Sequence, residues 1–202
     1  DAVHQTQDLG LATLKLHKNL DLAIGPASEL AGVMAARNID PKQGMQAFAV
    51  LSKQVTAAGD GAEKSRKLFE RLGIPMDRLK RMNFRQVLGA VADGANKLGP
   101  GMKRTATMTQ LLGRGWQSLG PILMGGRKEL NEQLATARKY GVTLGGHTVK
   151  SVKELTEAQR EQKYAMLGLK LTIGQALIPI LTRLIQSTNR FVLDVRRDWP
   201  QI

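Results

Sequence analysis

The chain has 202 residues, no cysteine and only 4% aromatic residues, so any core must come from Leu, Ile, Val, Met and Ala. The missing thiol excludes disulfides, thiolate zinc sites, iron–sulfur clusters and cysteine nucleophiles. Thirty Lys and Arg against seventeen Asp and Glu give +13, so acidic surroundings of some kind are expected.

Residues 1–60 hold five bases and six acids, so the positive excess lies after Gly61. The chain begins Asp1-Ala2-Val3, without Met and without a charged-then-apolar leader, which points to a fragment or processed product. Leu9, Leu11, Leu14, Leu16, Leu20 and Leu22 predict a first helix, and Glu29 to Arg37 a second. Asp40 followed by Pro41 is an N-cap with a proline in the first turn. It opens a helix over 41–58 whose stripe is Met45, Phe48, Leu51, Ser52 and Val55. Gly59-Asp60-Gly61 ends it. A helix from Ala62 to Leu72 stops at Gly73 and Pro75. Asn83 caps the next, with Val87, Leu88, Val91 and Leu98 turned inward. Gly99-Pro100-Gly101 breaks that helix, and a short one carries Met108, Leu111 and Leu112. Residues 113–126 are a turn, a short apolar helical stretch and another turn. A charged helix then runs from Arg127 to Tyr140 and closes at Gly141. Gly145-Gly146 is a hinge, and Ser151 with Glu154 forms a capping box. The last helix continues to about Val195, with Gly168, Gly174 and Pro179 bending or interrupting it.

No alternating strand pattern occurs, and β-branched residues are sparse. The expected fold is all-α: short helices joined by Gly/Pro turns, then a long, kinked C-terminal helix, elongated and self-associating. Three parts are expected: a helical arm over 1–40, a multi-helix segment over 41–146, and the C-terminal helix over 147–202.

Reactive chemistry is hard to find. His4, His17 and His147 have no metal-ligand spacing to one another or to a carboxylate. Glu154, Glu157 and Glu161 share a helix face, but Lys150, Lys153, Arg160 and Lys163 interleave with them as on a solvated surface. The run Gly94 to Thr105 lacks a Lys directly after its second glycine and lacks a preceding strand, so it is a helix corner and not a phosphate loop. Ser118, Ser151 and Ser187 sit in no nucleophile elbow. No catalytic, metal or cofactor residue is expected, and the chain is not expected to be an enzyme. Two features remain. A basic face, Arg71, Arg78, Lys80, Arg81 and Arg85, is either a solvated surface or a contact for a duplex phosphate backbone, without aromatics for stacking on single strands. An apolar stretch over 165–186 carries Leu171, Ile173, Gly174, Leu177, Ile178, Leu181 and Leu184. Lys170 and Arg183 bracket only twelve uncharged residues of it, short of the roughly twenty that span a bilayer, so helix-to-helix packing ranks above membrane association.

The order of these elements carries a resemblance. Leu30-Ala31, Ala36-Arg37-Asn38-Ile39-Asp40, Ala47 to Leu51 and Ala58-Gly59-Asp60-Gly61 come first, followed by Lys67-Leu68-Phe69-Glu70-Arg71-Leu72-Gly73-Ile74. Then come Val87 to Ala92, Leu111-Leu112-Gly113-Arg114-Gly115, Leu119 with Pro121-Ile122-Leu123, and Gly141. Last are Gly168, Ile173-Gly174, Ala176-Leu177 and Pro179. Over roughly residues 29 to 185 this succession resembles the recurring region of phage tail tape measure proteins. Gly99-Pro100-Gly101 departs from that family's more usual acidic turn. The resemblance implies a structural virion protein of a phage or prophage tail, assembled in the host cytoplasm and lying in the tail tube lumen or at its tip. Such a protein sets tail length and takes part in genome ejection. Its implied partners are copies of itself, the tail tube protein, distal tail and baseplate hub proteins, the tail assembly chaperone and the host membrane during ejection. A ruler of this kind needs long helices, and at about 1.5 Å per residue the stretch 152–195 reaches on the order of 65 Å.

Overall fold

Helix starts and stops in this chain are written in a few residue types, and they divide it into α1 (Ala2–Leu20), α2 (Ile24–Ala36), α3 (Pro41–Gly59), α4 (Glu63–Arg71), α5 (Met76–Leu79) and α6 (Phe84–Lys97). After α7 (Met102–Leu112) come a 3-10 turn (Gly113–Gly115), α8 (Trp116–Leu123), α9 (Gly126–Lys139) and α10 (Gly146–Asp198). The computed structural model describes residues 1–198, with side chains as far as Leu193, and among these every regular element is helical. Of the part expected over 147–202, residues 199–202 lie outside the described residues.

The starts follow capping chemistry. The Asp40 carboxylate accepts the Lys42 amide at 2.8 Å ahead of Pro41. Asn83 and Gln86 form a reciprocal capping box at 2.9 Å in each direction. Four of the stops share one device. At Asn38, Gly61, Gly73 and Gly141 the backbone turns left-handed, with φ of 53°, 94°, 70° and 69°. In each case the amide of the following residue reaches back five positions: Ile39 to Met34, Ala62 to Ala57, Ile74 to Phe69 and Val142 to Ala137, at 2.8–2.9 Å. The left-handed residue itself bonds three back, so two orphan carbonyls are satisfied at once. Ile39 and Ile74 are buried, which pins the outgoing chain to the core. Gly99 is left-handed too, but Pro100 has no amide hydrogen and the second bond cannot form.

Three expectations need correction. The single turn α5 was not foreseen. Ser151 and Glu154 do not start a helix, because α10 already begins at Gly146. Val149 and Val152 are 1% and 5% exposed, and Val152 lies against Gly10 of α1, so packing recruits the extra turn that capping chemistry alone does not call for. Of the two effects expected of Gly168, Gly174 and Pro179, bending or interrupting, only interruption is ruled out, since α10 is helical throughout its 53 residues. Pro179 leaves the Gln175 carbonyl without its usual donor, yet the turns on either side propagate the helix past it.

Contacts divide the chain into residues 1–153 and 154–202. The boundary lies within α10, and residues 1–40 fall in the first unit with residues 41–146. The centre of the first unit is α3, which touches α1, α2, α4, α5, α7, the 3-10 turn and α8. Its Phe48 and Leu51 are buried to 1% and 0% exposure, together with Met34, Phe69, Leu88, Met108, Leu111, Leu119 and Ile122. Phe48 meets Phe84 edge-on, with ring centroids 5.6 Å apart and planes at 82°. On the other side α2 packs against α1 and α9. Glu29 of α2 sits 6% exposed, accepting from Arg85 Nη1 of α6 at 3.2 Å and from Arg138 Nε of α9 at 3.1 Å. A buried carboxylate is tolerated when its oxygens are paired in this way.

The segment after α9 is tied to α2. Ser28 Oγ accepts the Leu144 amide at 2.6 Å, and the Val142 carbonyl presses on Gly32, where any Cβ would collide with it. Gly32→Ala must therefore push backbone against backbone. The expected result is a loss of about 1–3 kcal/mol in unfolding free energy, measured by urea titration. A neutral or stabilising result would contradict this packing.

Candidate functional site: an exposed apolar helix and a basic cavity

In the second unit, Glu154–Ile202, the apolar run sits on uninterrupted helix. Leu171, Ile173, Leu177, Ile178, Leu181 and Leu184 are 48–62% exposed, and Gly174 lies among them. Met166, Leu167, Leu169, Ile180 and Ile185 are equally uncovered. At 3.6 residues per turn these side chains sweep roughly 200° of the circumference, far wider than a coiled-coil seam. The remaining side is a stripe at spacings of four and three: Gly168, Thr172, Gln175, Pro179, Thr182 and Gln186. The hydroxyls do not need water. Thr172 donates to the Gly168 carbonyl at 2.9 Å, Thr182 to Ile178 at 2.8 Å, and Ser187 and Thr188 to Leu184 at 2.8 and 2.9 Å.

Between Tyr164 and Asn189 the only formal charges are Lys170 and Arg183. By length and composition this helix can cross a membrane. Lys170 and Arg183 stand thirteen residues apart, about 20 Å at 1.5 Å per residue. Their long stems can carry the charges outward to opposite faces of a hydrocarbon layer about 30 Å thick. A helix apolar over so much of its surface, with no charge over twelve residues, is suited to burial on most sides at once.

The basic face does not stay together. Arg85 is drawn away by Glu29. Arg71 ends α4, and both Arg71 and Lys80 are exposed. Arg78 and Arg81 do converge, on a cavity of about 490 Å³ lined also by Asp77, Met82, Gln86 and Arg127. Sequence reasoning missed Arg127, since only the docking of α9 on α6 brings it there. It also missed Glu29, although a lone carboxylate in the apolar run Ala27–Met34 was a signal that a cation must reach it. His17 Nδ1 pairs with the Leu22 carbonyl, and His4 Nδ1 lies 3.6 Å from the Asp1 carboxylate. Among the described residues no three His, Asp or Glu side chains group as a metal site.

Compared with protein-family models, with curated proteins and with solved structures, the chain matches none.

Proposed function

We propose that the chain is a segment of a phage or prophage tail tape measure protein. It acts by occupying space, as a helical structural component in the tail lumen or at the tail tip that sets length and takes part in assembly and ejection. The observation that carries this is the succession of helix stops around Asn38, Gly61, Gly73 and Gly141. Their residues are the ones that resemble the family, and all four perform one structural task. Its partners are then copies of itself, the tail tube and distal hub proteins and the assembly chaperone. Immunogold labelling of purified tails with antibodies to this chain should decorate the tube end or, in opened tubes, the lumen. Tails free of label, with all of the chain in particle-free extract, would end the proposal.

A second reading is favoured by the 165–188 part of α10, whose apolar surface is broad and uncovered and whose Thr and Ser hydroxyls all bond to the helix's own carbonyls. This part enters a lipid bilayer. In water its wide apolar face would be covered by sister copies. In lipid that face meets acyl chains, and the stripe of Gly168, Thr172, Gln175 and Thr182 is left for helix contact, since small and polar residues drive association there.

A further inference from the structure

The cavity lined by Arg78, Arg81 and Arg127 is made by two stretches of chain far apart in sequence. Arg78 belongs to α5, Arg81 to the turn after it, and Arg127 to the first turn of α9. Arg127 is held in place before anything binds. Asp93 of α6 accepts its backbone amide at 2.7 Å and its Nη2 at 3.1 Å. Gly89 leaves a track along α6 for the arginine stem, since a Cβ there would sit 3.1 Å from Arg127 Cγ and Nε. The Arg127 Nε is buried without a hydrogen-bond partner. Arg78 and Arg81 pair with no carboxylate among the described residues, unlike Arg85 and Arg138, which Glu29 takes. The lining therefore has three guanidinium groups against Asp77, with Asp93 offsetting part of the charge on Arg127.

Guanidinium groups without lysine suit a planar, bidentate grip on an oxyanion, and a side chain fixed in advance loses little entropy on binding. A volume of about 490 Å³ holds a phosphate with its ester substituents and some water. We propose that this cavity is a binding site for a phosphate group, gripped by Arg78, Arg81 and Arg127. The phosphate comes either from a free polyphosphate or from the backbone of duplex nucleic acid. The site stands on its own geometry and needs nothing from the tail proposal.

Two probes separate the sources: calorimetry with inorganic pyrophosphate, and fluorescence anisotropy with a short labelled duplex at about 50 mM salt. Pyrophosphate binding identifies a free anion as ligand, and binding of the duplex alone identifies the backbone. In either case Arg81→Ala and Arg127→Leu should each weaken binding about tenfold or more, the loss of a charge-assisted contact. Arg71→Ala, a basic residue outside the cavity, should change it far less. Arg81 lies on an exposed turn and its guanidinium pairs with no carboxylate among the described residues, so the loss of its side chain cannot be put down to misfolding. The proposal is overturned if neither probe binds, or if Arg71→Ala weakens binding as much as Arg81→Ala does.

Discussion

Leu177→Asp should lower partitioning of the chain into liposomes on the order of 100-fold, read by co-sedimentation. The estimate follows from the roughly 2.5–3.5 kcal/mol that a carboxylate adds at the centre of a membrane helix, with each 1.4 kcal/mol worth a factor of ten. Leu177 lies near the middle of the Lys170–Arg183 interval, where neither end of the helix is close enough for a short aspartate stem to reach water. The residue is 48% exposed, so the substitution removes no core contact from the first unit. Unchanged co-sedimentation would remove lipid as the partner of this helix. If the variant instead dissolves an oligomer that forms without lipid, the apolar face serves sister copies in water, as the sequence alone had ranked first.

Phe48→Ala should lower the unfolding free energy of the first unit by about 3–5 kcal/mol. Phe48 is 1% exposed on α3, the helix that most of the other elements touch. Truncation opens a void beneath that helix and deletes the edge-on contact with Phe84. A domain has only about 5–15 kcal/mol in total, so the variant should be close to unfolding at growth temperature. Far-ultraviolet dichroism would mix in the helix beyond Lys153. The better probe is emission from Trp116, 7% exposed on α8 beside α3, in a Trp199→Phe background under urea. A shift below about 1 kcal/mol would mean that the site collapses freely and that Phe48 is no centre of packing.

Local chemistry made most of the fold legible. Asp40-Pro41 and Asn83 started helices where expected, and Gly61, Gly73 and Gly141 ended them, because caps act within a few residues of backbone. What local chemistry cannot encode is which surfaces meet. Ser151 and Glu154 have the residues of a capping box, but burial of Val149 and Val152 overrides it. Arg85 has the look of a free basic residue until α2 brings Glu29 beside it. Arg127 gave no sign of sharing a cavity with Arg78, from which it is separated by nearly fifty positions. The apolar run is legible in the sequence as an uncharged stretch, but that its Leu and Ile side chains are uncovered on a continuous helix is visible only in the fold.

The shared stop at Asn38, Gly61, Gly73 and Gly141 asks very little of the genetic text. It needs one residue that accepts left-handed backbone and, in three of the four places, a branched aliphatic residue directly after it. Because the bonds that close each end are made by main chain, the rest of the corner is free to mutate without moving it. A chain organised in this way can drift far in spelling while its helices keep their lengths, and a corner such as the one after Gly99, where Pro100 removes one closing bond, can take an inserted segment without unmaking such a stop.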